Sequence, residues 1–188
     1  MRCLGCRRFG FAGLCPECRA LHLTPVPKTR TLDTGLEVVS FYAYEEIEPF
    51  LLTKHTPHGW FLYRQLAASV LPWVENGHGL AAVALDDDAR GGYSHTALLA
   101  RALKKRGYRP LVGALRAKNR LSYAGQPLAF RLANPRNFEY RGPRGAEAVL
   151  VDDIVTSGLT LQEAHGALLR SGVEVVGAFV LADADRLT

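Results

Sequence analysis

Residues 149–161 read VLVDDIVTSGLTL, and the order of apolar, acidic and hydroxyl residues in this stretch decides the fold. Ala148, Val149, Leu150 and Val151 have no polar face, which is the mark of a strand covered on both sides. Two adjacent acids, Asp152 and Asp153, close the strand, and neither can stay buried without a partner. Thr156, Ser157, Gly158, Leu159 and Thr160 then open a helix. Its first backbone N–H groups lack intrahelical acceptors, and the helix dipole adds positive potential there. Such a turn suits a phosphate. The acids fall at the carboxyl edge of the strand, where α/β sheets bind ligands, and they can accept hydrogen bonds from vicinal hydroxyls. Phosphate on one side and diol on the other describe a ribose 5-phosphate. The plain alternative is a strand, an acidic turn and a hydroxyl-capped helix without a ligand. It accounts for each piece but not for all of them within thirteen residues.

The stretch closely resembles the fingerprint of type I phosphoribosyltransferases, in which four apolar residues precede two acids and a hydroxyl- and glycine-containing loop. The resemblance implies that Asp152 and Asp153 hold the ribose diol of phosphoribosyl pyrophosphate. It implies that Thr156, Ser157, Gly158 and Thr160 hold its 5-phosphate, with Mg²⁺ accompanying the pyrophosphate.

Working outward, strands and helices alternate. Leu36–Tyr44 and Leu80–Leu85 read as strands, with helices expected over Glu46–Lys54 and Trp60–Val74 between them. Thr96–Arg106 reads as an amphipathic helix ended by Gly107, and Pro110–Leu115 as a further strand. Residues 116–144 read as an ordered basic loop or hood with one short helix. Leu159–Leu169 is a helix stopped by Gly172, and Val173–Leu181 a last apolar strand. The class is α/β, a mostly parallel sheet flanked by helices. A module and linker over 1–30 precede a domain over 31–188, with Thr24–Arg30 as linker.

All four cysteines lie in the first 20 residues. Cys3-x-x-Cys6 and Cys15-x-x-Cys18 are two knuckles that together complete a tetrahedral zinc site; disulfides, a redox pair or an iron–sulfur site are the alternatives. Arg7, Arg8 and Arg19 would offset the charge of four thiolates. The module's apolar residues, Leu4, Phe9, Phe11 and Leu14, are too few to fold it without metal. A four-cysteine module before a phosphoribosyltransferase-like domain resembles the ComF family of competence proteins. Gly92–Ala100 is similar to that family's GFNQxxLLA segment. Arg131-Leu132-Ala133-Asn134, followed by Phe138, is similar to its R-x-x-N segment before an aromatic. The resemblance implies a role in DNA uptake, with single-stranded DNA as a partner and a competence helicase or other uptake protein as another.

Charge is unevenly spread along the 188 residues, whose net charge is +5. Arg101–Arg144 holds twelve Lys or Arg against one acid, Glu139, for +11, so the rest of the chain carries −6. A cationic third favours an anionic partner; a solvated helix face followed by a basic loop is the alternative. Arg116, Lys118, Arg120, Arg131 and Arg136 are the nucleic-acid candidates, with Tyr108, Tyr123, Phe130, Phe138 and Tyr140 interleaved for stacking. Asp86, Asp87 and Asp88 stand where transferases hold pyrophosphate, a poor neighbourhood unless Mg²⁺ mediates. They read equally as a solvated turn. His95 reads as a phosphate contact, a cap or a surface residue. No apolar run reaches the 18 or so residues of a membrane span. The N-terminus lacks the apolar core of a secretory signal, so a cytoplasmic location is expected. Three functions remain open: an accessory DNA-handling protein that keeps a phosphoribosyl site, an active Mg²⁺-dependent transferase with an unknown acceptor, and a zinc-module adaptor.

Overall fold

The computed structural model describes residues 2–9, 13–86, 89, 92–119, 121 and 126–184. Eight strands and six α-helices alternate along it. The strands are β1 (Lys28–Thr31), β2 (Glu37–Ala43), β3 (Ala81–Ala84), β4 (Arg109–Leu111), β5 (Leu115–Ala117), β6 (Phe138–Tyr140), β7 (Glu147–Val155) and β8 (Glu174–Asp183). The helices are α1 (Pro16–His22), α2 (Tyr44–Leu51), α3 (Pro57–Val70), α4 (His95–Ala102), α5 (Leu128–Ala133) and α6 (Leu159–Arg170). Six strands form one sheet in the order β1-β2-β8-β7-β3-β4, and β5 and β6 form a separate hairpin. Every neighbour in the large sheet is parallel except β1 on β2. This is the α/β architecture that continuous apolar strands separated by helices demand.

Alternation along the strands divides the core in two. On one face Ala82, Ala84, Val149 and Val151 pack with Leu62, Leu66 and Leu99 of α3 and α4. On the other, Ala81, Val83, Ala148 and Leu150 meet Leu161, Ala164 and Leu168 of α6 and the inner side of the β5–β6 hairpin. Leu150, on an inner strand of the sheet, is fully buried.

Several boundaries differ from the sequence reading, each for a physical reason. Strand β7 does not stop at the acids but runs through them to Val155, paired with β8 along its length. The span 110–115 is not one strand. Arg109–Leu111 pairs at the sheet edge, where Pro110 costs no ladder bond on its open side. Gly113, at φ 72°, then turns the chain away before Leu115 enters the hairpin. Lys28–Arg30, expected within a linker, pair antiparallel with β2. The helix expected over 96–106 is α4 followed by a 3-10 turn, Leu103–Arg106, closed by Gly107 in the left-handed conformation.

Leu150→Ala removes buried volume where neighbouring strands and α6 are already close-packed. The expected loss is about 2–5 kcal/mol in urea unfolding, with the slope against urea unchanged.

Candidate functional site

Strand β7 delivers Asp152 and Asp153 to the carboxyl edge of the sheet, and the turn at 156–158 leads into α6. Asp153 is buried, and its Oδ2 takes three donors. Lys54 Nζ lies at 2.9 Å, Tyr63 Oη at 3.1 Å and His95 Nε2 at 3.3 Å. Burial alone would push the Asp153 carboxyl up. The charges of His95 and Lys54 and the hydrogen bonds from Lys54 and Tyr63 outweigh it and hold Asp153 down at about 2. Burial and the neighbouring Asp153 charge push Asp152 up to about 7, against a hydrogen bond from the Asp153 N–H to its Oδ1 at 2.8 Å. The two acids are therefore unequal: one is ion-paired inside the protein, the other close to neutral.

The loop between them and α6 draws cations. Arg30 of β1 donates through Nη2 to the Thr156 carbonyl at 2.7 Å and pairs with Asp183 through Nε at 3.3 Å. Arg131 of α5 donates through Nη1 to Thr156 Oγ1 at 3.0 Å. Gly158 is the N-cap of α6 at φ 76°, with no side-chain capping bond. A Cβ there would lie 2.6 Å from Leu32 Cδ2, so the turn tolerates only glycine without displacing β1's neighbour. Thr156, Ser157 and Thr160 thus surround an uncapped helix N-terminus flanked by two guanidinium groups, an arrangement that favours an anion.

The basic candidates separate. Arg116 and Lys118 are exposed, with Leu115 and Ala117 turned into the core between them. Arg131 faces the Thr156 loop instead. Arg136 is half-buried, and its N–H donates to Glu163 at 2.7 Å. Arg120, Tyr123, Asp87 and Asp88 lie outside the described residues. Asp86 accepts from the Ala117 N–H at 3.0 Å, so the first acid of the run is tied to the hairpin. Residues missed from sequence are Lys54, Tyr63 and Arg30, and His95 proves to be a buried partner of Asp153. Lys54 and Tyr63 are 99 and 90 positions from Asp153 and carry no local signal.

The four cysteine sulfurs lie within 4.8 Å of one another, Cys6 and Cys15 at 3.7 Å, and no pair is bonded as a disulfide. Tetrahedral zinc, with Zn–S near 2.3 Å, places its sulfurs about 3.8 Å apart. The set therefore fits a metal ion such as zinc. Burial pushes the Cys3 thiol up, but backbone N–H groups of Cys15, Cys6 and Gly5 outweigh it and bring it down to about 6, which suits a thiolate ligand. Leu14 and Gln65 exchange two hydrogen bonds, Leu14 N–H to Oε1 at 2.8 Å and Nε2 to the Leu14 carbonyl at 2.9 Å, fastening the module to α3. Phe11 lies outside the described residues. Among the described residues no other cluster of three or more His, Cys, Asp or Glu side chains is placed to hold a metal. No helix among them is long and apolar enough to cross a membrane.

Residues 89–188 match the family described as "Phosphoribosyl transferase domain". No curated protein matches the chain. Among solved structures it is similar to adenine phosphoribosyltransferase from Rhodothermus marinus, at 19% identity and TM-score 0.44, covering 89% of this chain and 85% of that one. It is similar to orotate phosphoribosyltransferase from Aeropyrum pernix at 14% identity and TM-score 0.40, covering 89% and 80%. It is similar also to Leishmania donovani UMP synthase at 18% identity and TM-score 0.40, covering 89% of this chain but spanning only 31% of that one.

The raised Asp152 carboxyl has a consequence for stability. Unfolded, it titrates near 4. Between about pH 4 and about pH 7 the folded chain keeps a proton that the unfolded chain has released, so this group's contribution falls as pH rises. Asp152→Asn removes that slope, and urea unfolding across the window shows the variant gaining on wild type towards neutral pH. If the four cysteines hold zinc, metal analysis of purified protein should find one zinc per chain. A strong chelator should then lower the melting temperature, because a metal bound only to the folded module would stabilise it.

Proposed function

This chain belongs to the phosphoribosyl transferase domain family, and from that premise we propose that it is a ComF-type accessory protein of DNA uptake. It binds phosphoribosyl pyrophosphate with Mg²⁺ at the β7–α6 loop and handles single-stranded DNA in the cytoplasm. The observation that carries the ligand reading is the convergence of Arg30 and Arg131 on Thr156 beside an uncapped helix N-terminus. Guanidinium forks and free backbone N–H groups converging on one loop are the chemistry of a phosphate site. The 5-phosphate sits among Thr156, Ser157, Gly158 and Thr160, and the diol on Asp152 and the Oδ1 of Asp153. Mg²⁺ arrives with the pyrophosphate it neutralises.

Single-stranded DNA follows Arg116 and Lys118 on the hairpin's exposed side, within the +11 segment to which Arg120, Arg131 and Arg136 belong. In this reading the zinc module and linker fall within residues 1–30, and the phosphoribosyltransferase-like domain takes residues 31–188 together with Lys28–Arg30 of β1. Exposed Phe9 and Leu21 on the module suit a competence helicase or another uptake protein.

One observation favours a second reading, an active transferase with an unidentified acceptor. The tie between Asp86 and the Ala117 N–H removes one acid from the pyrophosphate's surroundings. In that reaction the acceptor attacks the anomeric carbon, the bond to pyrophosphate breaks, pyrophosphate leaves with the electron pair, and the acceptor loses a proton.

Calorimetry with phosphoribosyl pyrophosphate and Mg²⁺ is expected to give saturable binding to wild type. Arg131→Ala and the double variant Asp152→Ala with Asp153→Ala are each expected to weaken it at least tenfold. Absence of binding to folded wild type rejects the ligand reading, and pyrophosphate release with a nucleobase selects the transferase. Oligothymidylate binding weakens with salt, and Arg116→Ala with Lys118→Ala lowers the log–log salt slope by about 1.4, at roughly 0.7 per phosphate contact on single strands. An unchanged slope rejects the DNA surface.

A further inference from the structure

Away from the ligand loop, α3 and α4 lie side by side with a groove between them. One wall is a single helical stripe, Arg64, Ala67, Ala68 and Leu71, at spacings of three and four residues. The facing wall is Leu98, Arg101, Ala102 and Lys105, at the same spacings. Small side chains at 67, 68 and 102 deepen the floor, and Leu71 and Leu98 make it apolar. The rims are cationic on both sides, with Arg64, Arg101 and Lys105 all exposed. Trp60 closes one end, with the Arg64 guanidinium stacked 4.5 Å from its ring centroid. No acidic side chain among the described residues lines the groove.

These features discriminate between occupants. Two helix ridges with an apolar floor receive the apolar stripe of a third helix. The twelve residues from Trp60 to Leu71 span about 16 Å, room for three turns. A second copy of this chain docked groove to groove would bring like-charged rims together across a two-fold axis, which electrostatics opposes. A single nucleic-acid strand needs a series of stacking planes, and the groove offers aromatic rings only near one end, where Trp60 and Tyr93 lie. We propose that the α3–α4 groove is a docking site for an acidic amphipathic helix of a partner protein, with Leu-type side chains on the floor and carboxylates against Arg64, Arg101 and Lys105. The inference is independent of the phosphoribosyl site and of the basic hairpin.

The test uses a fluorescein-labelled amphipathic peptide about four turns long, with leucines on one face and glutamates flanking them, titrated against the full chain by anisotropy. A peptide with lysines in place of the glutamates and an oligothymidylate are the competing probes. Ala68→Arg fills the floor without removing positive charge, and Arg64→Glu with Arg101→Glu reverses the rims. Circular dichroism and cooperative urea unfolding confirm that each variant is folded. Expected are saturable binding of the acidic peptide, at least tenfold loss in both variants, and weakening by salt. The proposal is overturned if the acidic peptide does not bind, if the lysine peptide binds equally well, or if neither variant weakens binding. Preferential binding of oligothymidylate that both variants abolish overturns it too, and makes the groove a nucleic-acid site.

Discussion

A carboxylate buried at the end of a central strand must find partners, and Asp153 finds three from outside its own strand. Lys54 comes from the 3-10 turn after α2, Tyr63 from α3 and His95 from the first turn of α4. The hydrogen bonds from Lys54 and Tyr63 and the ion pair with His95 tie the helical layer to the carboxyl edge of β7. An ion-paired group of this kind costs several kcal/mol to desolvate, and the cost is offset only when its partners are in place. That requirement makes the edge of the sheet rigid where a ligand would contact it. It also explains the inequality of the two acids. With Asp153 held ionised, its neighbour Asp152 meets both burial and a like charge and retains its proton to about pH 7.

The fold was legible because its strongest signals are local. The apolar runs at 81–84, 148–151 and 178–182 have no polar face, and Gly107 and Gly172 mark ends where only a left-handed residue closes the turn. The loop 156–160 was legible for the same reason, since hydroxyls and glycine at a helix start are adjacent in sequence. Lys54, Tyr63 and Arg30 were not legible. Each reaches its site from an element with its own unremarkable local pattern, and only the closing of the sheet brings it there. The extension of β7 to Val155 was hidden too. Acids at 152 and 153 read as an end only if they lack buried partners, and those partners are distant in sequence.

The cysteine module shows the same division. The two knuckles are visible in the spacing of Cys3, Cys6, Cys15 and Cys18. Its attachment is not: Leu14, almost fully buried, belongs to the core built by α2 and α3, and Gln65 secures it with both ends of its amide. A module with little core of its own thus borrows one, while the turns that carry its four cysteines bring their sulfurs within 4.8 Å of one another. The basic segment divides as well. Arg131 turns inward to the Thr156 loop, whereas Arg116 and Lys118 remain outside, so one run of positive charge serves two surfaces.

The central claim is that the turn at 156–160, with Arg30 and Arg131, is a 5-phosphate site. A crystal structure of the protein with ribose 5-phosphate tests it most directly. The account predicts the phosphate at the N-terminus of α6, within hydrogen-bond distance of the loop's backbone N–H groups and flanked by both guanidinium groups, with the diol turned towards Asp152. A phosphate bound on the Arg116–Lys118 surface with the loop empty would contradict it.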